Sequence, residues 1–393
     1  MKLAVVGGGG RQASGTIRDL GDSLDVKSIV LIDRESAKAQ LEQRAKDWCR
    51  GKAEIVCCDI NAHDDLRRAL RGCQAAANCT SHVFNVQVMN ACLAEGAHYT
   101  DMGGLFHWAR EQMKLDAAWK KAGLTAVLGM GSAPGIVNVM GRYAADLLDT
   151  VETLHLRDGI VNFTKTDAPL SIPYAMNTVL DEFVANCFIY EGGDWKELGP
   201  FARGEEIDFP PPVGKQTVYA TIHSEVATMP VAFKSKGLKD MSFKLALPKA
   251  FEEKILFLAS LGFGARDPIT VGRSEVSPRD VLVALCDRLP RPGGKPDDHK
   301  VLRVDVTGTQ KGRACHVQVE VVCHPYEPWG MACGPFTVGF PVGLTLRLLG
   351  SGVIKERGAV GAESCVPPEP FFRGMKARGL DVTCSIKYPV IQE

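Results

Sequence analysis

Leu3-Ala4-Val5-Val6-Gly7-Gly8-Gly9-Gly10-Arg11-Gln12-Ala13 opens the chain, and the reading of this stretch decides the fold. Leu3–Val6 is a short apolar run with two β-branched residues, the pattern of a buried strand. Four glycines then allow a turn tighter than side chains permit. From Gln12 the apolar spacing through Ile17 to Leu20 predicts a helix over Gln12–Leu20. Strand, glycine turn and helix in that order make a mouth for a diphosphate, because free backbone amides and the positive end of the helix face the anion. Two registers fit G-x-G-x-x-[G/A]. Starting at Gly8 gives Gly8, Gly10 and Ala13. Starting at Gly7 puts Gln12 where a small residue packs on the sheet, so the Gly8 register is chosen. The residues expected to hold a dinucleotide here are Gly8, Gly10, Arg11, Gln12 and Ala13; a glycine-rich turn with no ligand is the alternative.

Working outward, the alternation continues. Apolar runs at Ile29–Ile32, Glu54–Cys58, Ala75–Asn78, His98–Asp101 and Thr125–Leu128 are separated by helical patterns at Ser36–Cys49, Asp64–Leu70, Val83–Glu95 and Trp108–Lys121. Gly21, Gly96 and Gly123 follow helical stretches and are read as C-terminal stops. Repeated β–α units with short connections imply a Rossmann-type, doubly wound parallel sheet over residues 1–130. In such sheets ligands lie at the carboxyl ends of the strands. Asp33 ends the second strand, where an acid accepts hydrogen bonds from ribose hydroxyls, so NAD is preferred to NADP; Arg34 beside it could instead face a 2′-phosphate. Asp59 ends the third strand and either touches adenine or caps the next helix. Asn78, Thr80 and Ser81 end the fourth, beside the expected nicotinamide ribose. Asp101 ends the fifth, where a carboxylate could bind a substrate ammonium, share in proton transfer, or serve the structure.

Gly129–Gly135, with Ser132 and Pro134 inside it, breaks the pattern as a loop, and a helix is expected over Ile136–Leu148. Residues 131–335 then change character and read as a second, mixed α/β domain. Glu191-Gly192-Gly193-Asp194 and Thr309-Gln310-Lys311-Gly312 are hairpin signals, with Val301–Thr307 and His316–Val322 as an antiparallel pair. Ser277-Pro278-Arg279-Asp280 is a helix start, and Pro290–Pro296 is a surface loop. His223 and Glu225 fall on one face of an expected β-run, Val218–Val226, and a His–carboxylate pair can move protons. His107 is expected on an exposed helix face. Residues 336–393 carry helices at Val342–Leu349 and Glu369–Arg378.

Bulk properties limit the function. At 393 residues, two domains are expected. Lys+Arg and Asp+Glu are 46 each, so net charge gives no case for nucleic acid or an anionic membrane. No signal peptide and no membrane-length apolar run is read, and the 13 cysteines are taken as reduced thiols of a cytoplasmic protein. Cys315-His316 and Cys323-His324 lie on two strands that send such neighbours to opposite faces, so no metal is expected.

Gly8–Asp19, the Asp59 strand end, Tyr99–Gly104, and above all Gly131-Ser132-Ala133-Pro134-Gly135-Ile136-Val137-Asn138 resemble the saccharopine dehydrogenase family, with its lysine 6-dehydrogenase-like branch the nearer. The tail, Phe336–Pro341 and Gly358–Phe371, is similar to the family's closing segment, with one residue inserted before Pro341. Ala13 stands at the family's third glycine. The resemblance implies that the tail returns to the dinucleotide-binding domain and that the middle domain forms a cap, often used for homodimerisation. It also implies hydride transfer between nicotinamide C4 and a carbon bearing nitrogen on an amino-acid substrate. That substrate would lie near Asp101, Gly104, Ser132, Pro134 and Gly135. Asp101 and His223 are the proton-transfer candidates, and Arg142 and Lys165 the possible partners of a carboxylate. A carboxyspermidine- or opine-type imine-reducing dehydrogenase is the second reading, and a non-catalytic NAD(P)-binding protein the third.

Overall fold

The computed structural model describes residues 1–290 and 293–390, so Arg291 and Pro292 of the expected surface loop lie outside the described residues. The chain begins β1 (Lys2–Val6), α1 (Ala13–Asp22), β2 (Ser28–Asp33), α2 (Lys38–Trp48), β3 (Ala53–Cys57), α3 (His63–Leu70), β4 (Ala75–Asn78), α4 (Asn85–Glu95) and β5 (His98–Asp101). It continues through α5 (Phe106–Met113), α6 (Asp116–Lys121), β6 (Thr125–Leu128) and α7 (Ile136–Asp146). Alternate residues of β1 enter different layers: Leu3 and Val5 pack with Ile17 and Leu20 of α1, Ala4 and Val6 with Leu66 and Val88. The single helix expected over Trp108–Lys121 is two helices. Gly21 is not a stop but lies inside α1, where a Cβ would stand 1.9 Å from the Trp48 carbonyl oxygen; it lets the α2 end approach. Gly96 and Gly123 do have the left-handed φ of stops, 71° and 69°.

The second unit follows: β7 (Thr150–Asn162), α8 (Met176–Val184), β8 (Cys187–Glu191), β9 (Asp194–Leu198), β10 (Ala202–Asp208), β11 (Lys215–Ala220) and α9 (Glu225–Phe233). Next come β12 (Asp240–Ala246), α10 (Lys249–Ser260), β13 (Ile269–Val271), β14 (Ser274–Val276), α11 (Pro278–Cys286), β15 (Asp298–Gln310) and β16 (Arg313–Cys323). β7 pairs parallel with β12 and antiparallel with β15, so the sheet is mixed. Hairpins close at Glu191/Asp194 and Gln310/Arg313. The Ser277 hydroxyl caps α11 by accepting from the Asp280 N–H at 3.2 Å.

The tail returns to the first unit as α12 (Cys333–Gly350), β17 (Gly358–Gly361), α13 (Ala362–Cys365) and α14 (Pro368–Lys376), before β18 (Thr383–Lys387) adds an edge to the second sheet. Among the described residues the first sheet has seven parallel strands, β17-β6-β5-β4-β1-β2-β3. α12 starts at Cys333, well before the expected Val342, and runs through Pro341. Its glycines explain this. A Cβ on Gly339 would stand 2.4 Å from the Gln12 carbonyl oxygen, and one on Gly15 2.6 Å from the Pro335 carbonyl oxygen, so α1 and α12 touch backbone to backbone. That close contact stabilises a helix which local propensity alone opposes. Below it, the fully buried Asp19 carboxylate accepts from Arg347 at 3.3 Å and Arg378 at 2.7 Å. No helix among the described residues is long and apolar enough to cross a membrane.

Candidate active site

The glycine turn sits where β1 feeds α1. Of Gly7–Gly10, Gly7 has the left-handed φ, 81°. A Cβ there would meet the Thr80 Cγ2 at 2.5 Å and the backbone of Cys79 and Thr80 at 2.9 Å. The tight turn therefore falls at Gly7, one residue before the chosen register, and Gln12 occupies the third small-residue position. Gln12 is tolerated there half-buried, with its Oε1 finding no protein donor. Ala13 packs in the core. Below the turn, the buried Arg44 guanidinium donates to the Gly8 carbonyl and to the Gly10 carbonyl at 2.8 Å. Above it, Arg11 reaches the Ile172 carbonyl at 3.1 Å. The Asp33 carboxylate accepts from the Gly9 N–H and the Arg34 N–H, both at 2.8 Å, which aims it into the turn. Arg34 itself is exposed. A glycine cradle that a Cβ would fill, the mouth of α1 and an acid at the end of β2 fit a nicotinamide dinucleotide.

The remaining expected cofactor residues divide. Asp59 is exposed and binds the Asn61 backbone N–H at 2.9 Å, shaping the turn beyond β3. Ser81 is exposed. Asn78 is buried, and its Oδ1 accepts from Thr80 N–H at 3.0 Å and Thr80 Oγ1 at 2.6 Å, fixing the segment that packs on Gly7.

Asp101 is fully buried, with one oxygen accepting from the Gly103 and Gly129 N–H groups at 2.7 and 2.9 Å and the other from Gln112 Nε2 at 2.7 Å. A carboxylate so occupied organises loops, and its part in proton transfer is not supported by this geometry. The loops it ties are those of Gly104 and Pro134: Pro134 packs where Cβ atoms on Gly103 and Gly129 would stand, at 2.4 and 2.7 Å. Gly135, with φ 127°, has no room for a side chain, since a Cβ would lie 2.2 Å from the Gly131 carbonyl oxygen.

His223 is not on a strand. β11 ends at Ala220, and Glu225 starts α9, where an acid favours the helix end. The run Val218–Val226 alternates like a strand, but its second half joins a helix that packs on the first unit. The pair nonetheless meets: His223 Nδ1 is 3.2 Å from Glu225 Oε2, and its Nε2 is 3.4 Å from Glu182 Oε1 of α8. Burial opposes charge on this imidazole, but Glu225 and Glu182 outweigh it and push it up to about 10. Tyr174 donates to the other Glu182 oxygen. The ring of His223 stacks on Phe243 with centroids 3.9 Å apart.

A wider buried cluster surrounds this pair. Lys300 of β15 donates to Asp158 of β7 at 3.2 Å and to the Ser132 hydroxyl at 3.1 Å, bridging the second sheet to the Ser132–Gly135 loop. Burial alone would strip the ammonium of its proton, but the Asp158 carboxylate beside it holds it charged. Glu363 of α13 accepts from Asn138 of α7 at 2.7 Å; burial, with a smaller push from the charge of Glu225, raises its carboxyl above the usual range, and Asn138 and Thr228 pull it back. The cluster thus gathers four carboxyl groups, on Asp158, Glu182, Glu225 and Glu363, against Lys300 and His223. Asp158 Oδ1, Glu225 Oε1 and Glu363 Oε1 are buried with no protein donor. Surplus buried acceptors call for a ligand that brings N–H donors and positive charge.

Arg142 lies outside this cluster, bound to Asp146 at 2.5 Å and the Glu363 carbonyl, and Lys165 is exposed. Neither is placed as a carboxylate partner among the buried acids. His107 is exposed on α5. Cys315 and Cys323 face the core while His316 binds Asp305, and no group of three or more metal-ligating side chains is gathered among the described residues. The residues missed from sequence had a signal. Asp158 shares a strand face with Leu154 and Leu156, and Lys300 with Leu302 and Val304, so each is a charge at an inward position.

Comparison with known proteins identifies the family. Residues 3–127 match the model of the saccharopine dehydrogenase NADP binding domain, and residues 131–380 that of the saccharopine dehydrogenase C-terminal domain. A carboxynorspermidine synthase from Vibrio cholerae is 26% identical over 75% of this chain and 73% of its own. A carboxyaminopropylagmatine dehydrogenase from Synechocystis is 23% identical over 96% of both chains. In structure, apo saccharopine dehydrogenase (L-Glu forming) from Saccharomyces cerevisiae superposes over 98% of this chain and 100% of its own with a TM-score of 0.74 at 16% identity. The homospermidine synthase of Legionella pneumophila, in complex with NAD, gives 0.69 at 14% identity over 99% and 91%.

Proposed function

Because the chain belongs to the saccharopine dehydrogenase family and is an NAD(P)-binding dehydrogenase of that family, we propose that it joins a cationic amine to a carbonyl compound and reduces the resulting imine to a secondary amine. The observation that carries this reading is the set of three donorless carboxylate oxygens, on Asp158, Glu225 and Glu363, around the His223 pair. The names of the relatives support it, since carboxynorspermidine and carboxyaminopropylagmatine are carboxylated polyamines. Amine, carbonyl, reduced cofactor and a proton together give the secondary amine, oxidised cofactor and water. When bound, the cofactor supplies the hydride at nicotinamide C4.

The chain's own residues do the rest. The turn at Gly7–Gly10 and the mouth of α1 bind the diphosphate, and Asp33 accepts from a ribose hydroxyl. Glu225, Glu363 and Asp158 bind and orient the ammonium, while Glu182 holds His223. His223, holding its proton between two carboxylates, gives it to the hydroxyl that leaves as water when amine and carbonyl condense. Ser132, Pro134 and Gly135 close the side towards Asp101, and Gly104 stands beside them. The reacting carbons must come within about 3–3.5 Å of each other. The proposal includes a homodimer, supported by the exposed apolar side chains Phe257, Leu261, Ile269, Val271 and Leu285 on and between α10 and α11.

Oxidation of lysine or saccharopine is the second reading. Its substrate carboxylate needs a cation, as does that of a carboxylated polyamine, so turnover rather than this charge separates the two readings. Cofactor oxidation by the purified protein should be followed with amine–semialdehyde pairs, and cofactor reduction with lysine and saccharopine. Turnover of an amine–carbonyl pair, with a raised amine KM in Glu225→Gln, is expected. Turnover of lysine or saccharopine alone would refute the condensation reading. Binding of NAD(P)H without turnover of any pair would favour a non-catalytic module.

A further inference from the structure

One buried structure is left unused by that chemistry. Three amide side chains run head to tail under the carboxyl ends of β4, β5 and β6. Asn78 Nδ2 donates to Asn85 Oδ1 at 2.8 Å, Asn85 Nδ2 to Gln112 Oε1 at 3.2 Å, and Gln112 Nε2 to Asp101 Oδ2 at 2.7 Å. All four side chains are at most 1% exposed. Every donor points the same way. At one end stands a carboxylate that also holds the Gly103 and Gly129 amides. At the other, Asn78 Oδ1 receives both the N–H and hydroxyl of Thr80. Thr80 in turn fills the space a side chain on Gly7 would need.

We propose that Asn85 and Gln112 are positioning residues for the cofactor, acting through a one-directional amide chain that holds the Thr80 segment against the glycine turn and ties it to the loops at Gly103 and Gly129. The reasoning is geometric. An amide flipped at any link would set donor against donor or acceptor against acceptor at the next, in a place water does not reach. The chain therefore has one arrangement, anchored by Asp101, which can only accept. Its direction is imposed on Asn78, and Asn78 fixes Thr80. The ends of β4 and β5 are thus locked to each other and, through Thr80, to the glycine turn after β1, on either side of the β1–β4 crevice that the cofactor would span. Asp101 is the anchor of this device rather than a proton acceptor, which explains a buried carboxylate with every oxygen occupied.

The inference rests on the nucleotide lying on the glycine turn, and Gln112→Glu tests it. Once ionised, the substituted carboxylate cannot donate to Asp101; with one proton shared between the two carboxyls, the chain re-forms. Burial already pushes Asp101 up, and the paired acid does so further. His82, which borders the space at Gly104 together with the Asn85 amide, is pushed down by burial, and its titration cancels in the ratio to wild type; the other ionisable groups near the chain are Tyr99 on β5, Cys79 beyond β4 and Cys92 on α4. Burial pushes Tyr99 well above its usual value, Cys79 up to about 12 and Cys92 up, so none of them changes charge near neutrality. NADH and NADPH are titrated by fluorescence into wild type, Gln112→Glu and Gln112→Leu. The ratio of Gln112→Glu to wild-type Kd should be near one at about pH 6 and rise about tenfold or more by about pH 9, while Gln112→Leu is weakened at both. If Gln112→Leu does not fold, the pH-dependent ratio alone decides. A flat ratio, or a variant whose melting temperature falls with pH while nucleotide Kd holds, would overturn the chain's role. Wild type that binds neither nucleotide would overturn the cofactor reading itself, and the chain's role with it.

Discussion

Replacing Gly7 with alanine separates the two registers of the glycine turn and gives a magnitude. The left-handed φ of 81° costs any L-residue about 1–2 kcal/mol. Gly72 is the control: its φ is 74° and nothing lies within 4 Å of a Cβ, so Gly72→Ala should cost that amount and no more. At Gly7 the new methyl would also stand 2.9 Å from the Cys79 carbonyl carbon and the Thr80 nitrogen. These are backbone atoms of a buried segment and cannot rotate away. Overpacking of this kind costs a further ~1–3 kcal/mol. The total is about 2–5 kcal/mol, and a turn displaced to relieve it must be re-formed when nucleotide binds, raising Kd by up to about 30-fold to several thousandfold. Gly8→Ala is the counter-test. Its Cβ would press only on the Leu41 Cδ2, at 3.0 Å, the far end of a flexible side chain, and its φ is not left-handed. Thermal unfolding and NADH titration of all three variants are the assay. Gly7→Ala that folds with wild-type NADH affinity would refute the reasoning, and Gly8→Ala that is the worse of the two would restore the register starting at Gly8.

Other outcomes follow from the same geometry. Asp33→Asn should weaken NADH by about 10- to 100-fold, the value of a charge-assisted hydrogen bond of about 1.5–3 kcal/mol, and weaken NADPH less; equal loss for both would reject the ribose contact. The imidazole of His223 is raised, so its proton is present at neutral pH and leaves as pH rises through about 10. The condensation rate should therefore fall on that alkaline limb, and Glu182→Gln should move the limb to lower pH; an unmoved limb would exclude His223 as the acid. By linkage, the pair's contribution to stability is complete below the free histidine value and is lost as pH climbs through about 10. Asp19→Asn should destabilise the fold by about 3–5 kcal/mol by leaving Arg378 half-buried without its anion and Arg347 with Asp25 as its remaining one. Denaturant titration reads it, and a loss below about 1 kcal/mol would make the triad a surface pair in effect.

The first sheet was largely legible because each strand of a doubly wound sheet is buried on both faces and reads as an apolar run. Ala75–Asn78, His98–Asp101 and Thr125–Leu128 have the bounds expected of them. What failed did so where distant contacts override local rules. Gly21 looks like a stop until Trp48 is placed against it, and Pro341 looks like a helix breaker until α1 packs backbone to backbone on α12. The glycine register went wrong for the same reason. The objection to Gln12 assumed a close helix–sheet contact there, whereas the steric demand sits at Gly7 and comes from Thr80, far along the chain. At the site, His223 and Glu225 were visible as a pair two residues apart. Asp158 and Lys300 show in the sequence only as charges at inward strand positions, and Glu182 and Glu363 not at all, because the partners come from α8, β7, β15 and α13 and no spacing along the chain encodes that meeting.

The arrangement separates what binds the nucleotide from what would bind the substrate. The glycine turn, Asp33 and the amide chain belong to the first sheet and its helices. Asp158, Glu182, His223, Glu225 and Lys300 belong to the inserted unit, and the Ser132–Gly135 loop, α7 and α13 are among the elements that join the two, with Arg11 bonded to the Ile172 carbonyl and Phe106 stacked on Phe188 elsewhere along the seam. Lys300 is the buried cation that bonds across that seam, with Asp158 on its own sheet and Ser132 on the loop. A lysine there does two things that a neutral residue would not. It offsets one of four buried carboxylates, leaving a charge deficit that a cationic substrate can fill. It also makes the position of the loop depend on the charge state of Asp158. Lys300→Met should therefore act on both units at once: the loop loses its hydroxyl contact, and Asp158 either takes up a proton or becomes an unpaired buried anion costing several kcal/mol. Affinity for NADH should be nearly untouched, because the glycine turn and Asp33 lie elsewhere, while the amine KM changes. A variant that lost nucleotide and amine binding in equal measure would show that the two units are not separable.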